Sequence, residues 1–257
     1  VEFLLYSIRA HLSRISYRIC LVLPPKLHRL RLMPELPEVE ITRQGIEPHL
    51  LGQRVTSVVL REPRLRWPVP AYLVKTLPQM MVQKIRRRAK YLILEFGEGS
   101  LIIHLGMSGS LRVIAEGTNA SAHDHVDIVF GKKMLRLRDP RRFGCVLWQS
   151  GAAEEHPLLR HLGIEPLEAE FSGSFLHRAS RKRKMAIKQF LMNQRMVVGV
   201  GNIYASESLF RAGIRPTVQA GKLSRARCDV LANAVVETLL DSLRAGGSSL
   251  RDYVQSN

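Results

Sequence analysis

The sequence predicts an α+β protein in which a leading helix and an N-terminal β-sandwich precede an all-helical domain. Two observations predict this order. Between residues 55 and 148 the apolar residues occur in short β-branched runs separated by turn residues, which is typical of a sandwich or barrel. Beyond Glu165-Pro166 they recur at helical spacing instead. We therefore predict domains at 34–150 and 151–257, after a basic segment at 1–33.

The leading helix is predicted to begin at Pro37. Proline suits the first helical position, and Glu38 and Glu40 complement the positive end of the helix dipole. The apolar residues that then share one face are Val39, Ile46 and Leu50.

The strands follow from β-branched runs bounded by turn signals such as Gly97-Glu98-Gly99. They are predicted at Val55–Leu60, Tyr91–Phe96, Leu101–Leu105, Leu111–Ile114, Val126–Phe130, Met134–Leu137 and Cys145–Trp148. One helix is predicted around Met185–Leu191 and a second at Ile203–Arg211. Ser224 is expected to cap a third helix, which ends at Gly246-Gly247. Its apolar face carries Leu231, Val235 and Leu239.

The charge of the chain indicates its partner. The 257 residues carry a formal net charge of +17. This favours nucleic acid ahead of an anionic membrane surface, with a solvated basic surface as the alternative. The sequence contains no run of about 18 uninterrupted apolar residues, so it predicts no membrane-spanning helix. Cys20, Cys145 and Cys228 are far apart, so we expect reduced cytosolic thiols, with neither a disulfide framework nor a zinc site.

Residues 1–33 carry six Lys or Arg residues against a single acid, Glu2. Such a segment suits a transit peptide, a basic arm that contacts DNA, or an upstream reading frame translated from a misassigned start. We favour the last, and expect the extension to be non-native or removed.

Met33-Pro34-Glu35 has the composition of an N-terminus placed inside the chain. If Met33 is the true start and is cleaved, Pro34 presents a secondary amine beside the Glu35 carboxylate. That pairs a nucleophile with a proton-transfer group, as Schiff-base chemistry on a sugar carbon requires. If Pro34 stays bonded to Met33, its nitrogen is an amide and cannot attack.

The segment Arg86-Arg87-Arg88-Ala89-Lys90 opens a strand with four cations in five positions. Strand alternation would place Arg86, Arg88 and Lys90 on one face, which suits a phosphate track or the floor of an active site. Solvent-facing charge is the alternative for each of them.

Asp139-Pro140-Arg141-Arg142-Phe143-Gly144 joins two cations to an aromatic ring at a turn. It predicts a loop that inserts Arg141 and Phe143 into a base stack and holds a phosphate with Arg142, unless it is simply an exposed turn. Met107, flanked by Gly106 and Gly109, is either a second such wedge or a core residue.

Two further segments suggest contacts with DNA. Arg181–Lys184 is a basic cluster, and the turn at Val198–Tyr204 starts a helix at Asn202 whose free amides would suit a phosphate. A plain helical hairpin is the alternative. For His123-Asp124-His125 with Asp127, we favour a DNA contact by His123 over a metal site.

Taken together, these segments resemble the formamidopyrimidine-DNA glycosylases, bacterial enzymes that remove 8-oxoguanine and ring-opened purines. The resemblance runs from Met33 to the C-terminus. It rests on MPELPEVE, RRAKYL, HLGMSGSLR, HDHVD, DPRRFG, IKQFLMNQ and VVGVGNIYASESLF, in the family order. The sister branch of endonuclease VIII-type enzymes typically opens MPEGPE, so Leu36 favours the purine-specific branch.

The resemblance implies a helix–two-turn–helix C-terminal domain, with DNA between the two domains. It implies that Pro34 attacks C1′ of the damaged nucleotide, Glu35 donates protons, and Lys90 assists proton transfer or positions the DNA backbone. β-Elimination, and usually a second elimination, then nick the strand. The residues expected to fill the space of the flipped nucleotide are Met107, Arg141 and Phe143, and those expected to hold the strand are His123, Arg183, Lys188 and Asn202.

The chain departs from the family in two places. Pro34 is not terminal, and the chain stops before the family's four-cysteine zinc finger, so we expect no cofactor in this chain, weaker DNA binding and impaired δ-elimination. The function predicted is a bifunctional DNA glycosylase and abasic-site lyase that acts on double-stranded DNA. We expect a monomer in the bacterial cytoplasm, associated with the nucleoid. The alternatives are a catalytically silent damaged-DNA-binding protein and an endonuclease VIII-type enzyme for oxidised pyrimidines.

Overall fold

The computed structural model describes residues 33–246, which belong to one compact unit. The predicted extension before Met33 and the last residues of the second predicted domain, 247–257, lie outside the described residues. Within residues 33–246, no helix has the length and apolar character needed to cross a membrane.

Helix α1 (Leu36–Leu50) begins one residue before the predicted start and carries proline in its first turn, as expected. Glu35 and Glu38 form a reciprocal capping box: each side chain accepts a hydrogen bond from the backbone of the other residue. The cap therefore fixes Glu35 at the point where the chain enters the helix.

Eight strands and the short helix α2 (Leu73–Thr76) follow. The strands are β1 (Ser57–Leu60), β2 (Lys84–Arg88), β3 (Tyr91–Phe96), β4 (Gly99–His104), β5 (Ser110–Ala115), β6 (Asp124–Phe130), β7 (Lys133–Arg138) and β8 (Cys145–Ser150). They form two four-stranded antiparallel sheets, in the orders β1-β6-β7-β5 and β2-β3-β4-β8. Each of the seven strand predictions corresponds to one of these strands, and the mixed α+β class is confirmed.

One core is shared by both sheets. Leu92 and Leu101 from one sheet and Leu135 from the other belong to the same buried cluster. The opposite face of β3 and β4 is also covered, since Ile93 and Ile102 pack against the segment that follows β8. This double burial explains why β3 and β4 are almost continuously apolar.

The helical part has a second core of its own. Its helices are α3 (Gly173–Ser180), α4 (Ile187–Leu191), α5 (Asn202–Arg211) and α6 (Arg225–Arg244). The predicted cap of α6 is confirmed, because the Ser224 hydroxyl accepts a hydrogen bond from the amide of Arg227. Helix α1 joins both cores: Val39 packs with the sheets, whereas Leu36 packs with the helices.

The predicted common face of Arg86, Arg88 and Lys90 is wrong. Strand β2 ends at Arg88, and Ala89 adopts a positive φ of 54° that reverses the chain, so Lys90 lies in the hairpin turn before β3. The two arginines are ion-paired, Arg86 with Glu95 and Glu154 and Arg88 with Glu165. The two arginines therefore neutralise carboxylates within the protein, and of these three cations Lys90 alone remains a candidate for the active site.

Candidate active site and nucleic-acid interface

Glu35 is a buried acidic side chain at the start of α1. Its carboxylate is 1% exposed and accepts hydrogen bonds from the amides of Gly201 at 2.5 Å and Ile203 at 3.0 Å. These amides belong to the first turn of α5, where the free N–H groups and the helix dipole favour a negative charge. A residue of the first half of the chain thus caps a helix of the second.

Part of the donor set expected for a phosphate at the start of α5 is therefore occupied, and the phosphate contact at Asn202 stays a prediction. The amides of Gly201 and Ile203 already donate to Glu35, so they are not free for a phosphate. The physical reason is that an internal carboxylate meets the same donors and the same dipole that would attract an external anion.

Behind Glu35 lies a second buried carboxylate. One oxygen of Glu38 accepts from the Glu35 amide at 3.0 Å, and the other accepts from the Tyr204 hydroxyl at 2.6 Å. The Tyr204 oxygen lies 2.6 Å from the Ser242 hydroxyl oxygen. This chain of contacts joins α1, α5 and α6 behind the site and fixes the backbone from which the Glu35 side chain projects.

Lys90 and Glu35 converge over Gly201. A Cβ atom on Gly201 would lie 2.4 Å from the Glu35 Cδ and 2.6 Å from the Lys90 Nζ. Any larger residue would therefore separate or displace the two side chains. The Lys90 turn is itself held by Glu165, whose Oε1 accepts from the Ala89 amide at 2.6 Å.

Burial shifts these two groups in opposite directions. It raises the pKa of Glu35, although the charge of Lys90 and the two amide hydrogen bonds act against the rise. It also lowers the pKa of Lys90, against the attraction of Glu35 and Glu38. A carboxyl group with a raised pKa beside an amine with a lowered pKa is a pairing typical of sites that transfer protons.

Pro34 precedes Glu35 directly and is half-buried at the edge of this site. The turn that faces it is closely fitted, since the Leu36 amide donates to the Gly199 carbonyl at 3.1 Å. Gly199 has a φ of +77°, and a Cβ there would lie 2.7 Å from the Leu36 side chain. The two glycines of this turn let the backbone of the helical half approach residues 34–36.

A second group of predicted residues lies on two adjoining loops, Gly106–Gly109 and Asp139–Gly144. Phe143 is 42% exposed, and the Arg141 guanidinium lies 4.9 Å from the centre of its ring. Met107 is half-buried on the neighbouring loop. The structure therefore brings an aromatic, a cation and a flexible apolar side chain to one part of the surface.

His123 and Arg142 flank these loops. The His123 carbonyl accepts from the Asp139 amide at 3.0 Å, and its side chain is half-buried. Arg142 has a φ of 57° and forms a 3.1 Å ion pair with Glu62. Its expected phosphate contact remains a prediction, in which a phosphate would compete with Glu62.

Arg183, Lys188 and Asn202 belong to the helical half. Arg183 and Asn202 are exposed, and Lys188 is half-buried on α4, which packs against α5. Their side-chain polar groups make no hydrogen bond or ion pair with another residue in the range 33–246. They are therefore free to bind an external anion.

No three His, Cys, Asp or Glu side chains within residues 33–246 are arranged to hold a metal ion. The strand alternation considered for a His123, His125 and Asp127 site is interrupted by an irregularity in β6. His125 instead contacts the Asp139 carbonyl through Nε2 at 2.8 Å, and Asp127 pairs with Arg136 at 2.8 Å.

Comparison with known proteins identifies the family. The profile of the formamidopyrimidine-DNA glycosylase N-terminal domain matches residues 33–146, and that of the H2TH domain of the same enzymes matches residues 162–254. The formamidopyrimidine-DNA glycosylase of Paraburkholderia phytofirmans is 54% identical over 231 residues, which cover 88% of this chain and 84% of that protein. The chain belongs to the formamidopyrimidine-DNA glycosylase family.

Other members agree with this assignment. The enzyme of Aromatoleum aromaticum is 58% identical over 222 residues, covering 86% of this chain and 82% of the relative. Among solved structures, the Lactococcus lactis Fpg in complex with DNA containing N7-benzyl-Fapy-dG is similar with a TM-score of 0.79 and 34% identity. That match covers 86% of this chain and 83% of the other.

The sequence interpretation did not single out four residues around the candidate site: Glu38 and Tyr204 behind Glu35, His104 beside Lys90, and Asp139 between the loops. His104 packs on Tyr91, and its Nδ1 accepts from the Gly106 amide at 2.9 Å. Burial, together with the charges of Lys90 and Arg66, lowers the pKa of His104 to about 4. The capping-box spacing of Glu35 and Glu38 was a visible signal for one of the four.

Proposed function

We propose that this protein excises oxidised purines, including 8-oxoguanine and formamidopyrimidines, from duplex DNA and nicks the resulting abasic site. The observation that carries the proposal is the Glu35 carboxyl group. It is buried, its pKa is raised, and backbone hydrogen bonds fix it beside Lys90, at the residue that directly follows Pro34. The relatives that carry the name of this activity, and the Lactococcus lactis Fpg bound to Fapy-dG-type DNA, support the choice of substrate.

In the proposed reaction the Pro34 nitrogen attacks C1′ of the damaged nucleotide. Its lone pair forms the N–C1′ bond, while the electrons of the glycosidic bond leave with the base. Glu35 donates one proton to the departing base, and its carboxylate then takes up the N–H proton that the bonded Pro34 nitrogen loses. Glu35 passes this proton to O4′ as the C1′–O4′ bond breaks, while the nitrogen lone pair forms the C1′=N iminium. Before attack, the protonated Pro34 amine loses one proton to solvent, which leaves a neutral nitrogen with a lone pair.

The resulting iminium withdraws electrons from the sugar. The C2′ proton becomes acidic and is removed, and the C3′–O bond breaks so that the 3′ phosphate leaves. This β-elimination couples the lyase activity to base excision. In this scheme Lys90 assists the proton transfers or positions the DNA backbone.

The remaining residues hold the substrate. We infer that Met107, Arg141 and Phe143 occupy the space left by the flipped nucleotide, and that His123, Arg142, Arg183, Lys188 and Asn202 contact the strand. We interpret residues 34–150 as a β-sandwich domain and 151–257 as a helix–two-turn–helix domain, with DNA between them. The protein then acts as a monomer in the bacterial cytoplasm, and the net charge of +17 supports binding to DNA.

The covalent state of Pro34 decides between this function and its alternative. In the sequence Met33 precedes Pro34, and an acylated proline nitrogen has no lone pair available for attack. A chain that retains Met33 would be a catalytically silent damaged-DNA-binding protein.

Borohydride trapping on a duplex with 8-oxoguanine opposite cytosine tests the proposal. A chain that begins at Pro34 is expected to give a covalent protein–DNA adduct, and the full chain is expected to give none. Absence of an adduct from a folded chain with a free Pro34 would overturn the proposal. A preference for thymine glycol would instead favour the pyrimidine-specific branch.

Glu35→Gln is the matched test of the acid. We expect base release to slow by about 10²-fold or more, since positioned acids contribute roughly that much. The alkaline decline of the wild-type rate, set by the raised pKa of Glu35, should also disappear. Glu98→Gln, in the exposed turn between β3 and β4, serves as the control and should behave as wild type.

A further inference from the structure

We propose that Asp139 is a positioning residue that holds the Gly106–Gly109 and Asp139–Gly144 loops as one rigid block, so that Met107, Arg141 and Phe143 enter a DNA duplex together. The inference rests on the proposed function, because it assigns these loops to DNA opening. It adds a residue whose carboxylate touches no DNA and acts only through the two loops.

The carboxylate of Asp139 lies between the loops and bonds to both of them. Its Oδ1 accepts from the Ser108 hydroxyl at 3.0 Å and from the Arg141 amide at 3.3 Å. Its Oδ2 accepts from the Gly144 amide at 2.8 Å. One side chain therefore fixes the residue after Met107 and both ends of the segment that carries Arg141 and Phe143.

Asp139 differs from the other buried aspartates in its partners. Asp124 and Asp127 are paired with arginines, whereas Asp139 is fully buried and has no ion pair with any residue of the described part of the chain. Burying a carboxylate without a cation is costly unless hydrogen bonds replace its hydration. The contacts that replace it here all come from the two loops, so the charge stabilises this one arrangement of them.

The loops also touch directly, backbone to backbone. Gly106 has a φ of +65°, and a Cβ there would lie 2.5 Å from the Gly144 nitrogen. A Cβ on Gly144 would lie 2.6 Å from the His104 carbonyl oxygen. With no side chain between them, a displacement of one loop is transmitted to the other.

The base of the block is anchored to the sheet. The Asp139 amide donates to the His123 carbonyl at 3.0 Å, and its own carbonyl lies 2.8 Å from the His125 Nε2. Side chains that part a base step must withstand the force that restores stacking. Two loops that are bonded to the sheet and to each other meet this requirement, because the conformational entropy of ordering them is lost on folding and not on DNA binding.

The test uses the full chain and a duplex that carries a tetrahydrofuran abasic analogue next to 2-aminopurine. The fluorescence of the 2-aminopurine reports wedge insertion, and the analogue has no base to excise and no aldehyde to trap. In Asp139→Asn the amide group would face N–H donors, so we expect insertion to slow on the order of tenfold, with the melting of the protein measured alongside.

Coupling between the loops distinguishes positioning from a general loss of stability. Met107→Ala and Phe143→Ala should affect the insertion rate non-additively in the wild-type background and additively in Asp139→Asn. Ser108→Ala, which removes one of the bonds and keeps the carboxylate, should weaken the coupling in part and serves if Asp139→Asn does not fold. Additive effects in the wild type, or normal coupling in Asp139→Asn and Ser108→Ala, would overturn the proposal.

The two proposals fail separately. Insertion needs no free Pro34, so coupled insertion without a borohydride adduct would leave Asp139 in its positioning role and reject the glycosylase chemistry. If a chain that begins at Pro34 forms an adduct but its insertion is uncoupled, the glycosylase chemistry stands and the positioning role of Asp139 is rejected.

Discussion

Two basic segments of the chain look alike in sequence and differ in structure. In Arg86-Arg87-Arg88 on β2, each guanidinium forms an ion pair with a carboxylate. In Arg181–Lys184, between α3 and α4, the last three side chains are exposed and form no ion pair within residues 33–246. A run of cations therefore indicates a nucleic-acid surface only where the fold leaves those cations unpaired.

Most of the acids that neutralise β2 come from distant parts of the chain. Glu165, 77 residues after Arg88, accepts from its guanidinium at 2.8 Å and pairs with Arg87 at 2.7 Å. Glu154, in the segment that follows β8, reaches Arg86 at 2.7 Å. Local charge density gives no sign of this, because the partners meet the arginines only after the chain has folded.

Breaking the paired segment should give the largest effect. Glu165→Gln removes the charge that faces Arg87 and Arg88, and we expect the free energy of unfolding to fall by about 2 kcal/mol, since buried pairs cost more than this to break and these groups are partly solvated. Urea unfolding measures the change. Glu168→Gln, an exposed neighbour, is the control, and equal stability of the two variants would contradict the comparison.

Removing a cation from the unpaired segment should affect DNA binding and leave stability intact. We expect Arg183→Ala to weaken binding to duplex DNA about fivefold and to lower the slope of log K against log salt by about 1, with unfolding changed by less than about 0.5 kcal/mol. Fluorescence anisotropy at several salt concentrations measures the slope. Arg225→Ala removes an arginine that is paired with Asp229, so it is the control and should keep the wild-type slope. The idea fails if both variants keep the wild-type slope.

The smallest effect is expected at the exposed end of the paired segment. Burial would raise the pKa of Glu154, but the hydrogen bond and charge of Arg86 outweigh it and lower the pKa. A depressed folded-state pKa contributes stability that is present above the ordinary value of about 4.3 and is lost as the pH falls through the folded-state value.

Glu154→Gln should therefore cost roughly 0.5 kcal/mol at pH 7, because the side chain is half exposed, and nothing in strong acid. Unfolding at a series of pH values checks this, with Glu155→Gln as the neighbouring control. A difference from wild type that persists at pH 2 would mean that Glu154 acts by packing and not by charge.

Much of the fold was predictable because burial leaves a local pattern. β-Branched runs gave the strands, and helical spacing gave α5 and α6. Strand β2 was not predicted as a separate strand, because a run of cations lacks the apolar pattern of a buried strand. Ion pairs with glutamates, most of them distant in sequence, allow it to be half-buried. The capping of α3 by Ser172 was also missed.

The site was predictable only in part. Pro34, Glu35 and Lys90 stood out through chemistry and family motifs. The partners that tune Glu35 did not, since the Gly201 amide is 166 residues away in the sequence. Asp139 was part of a quoted motif, but its role depends on a loop 31 residues earlier, at Ser108.

Because Glu35 lies between the two cores, the proposed chemistry depends on complete folding of the protein. Leu36 is buried among the helices and Val39 among the strands, so the acid sits where the two halves of the protein meet. Before the halves have assembled, residue 35 is an ordinary hydrated glutamate with no raised pKa and no fixed orientation. An incompletely folded molecule keeps the positive charge that attracts DNA, yet it lacks the fixed acid that the proposed chemistry requires. If the proposed function holds, base excision therefore begins only once both halves have assembled.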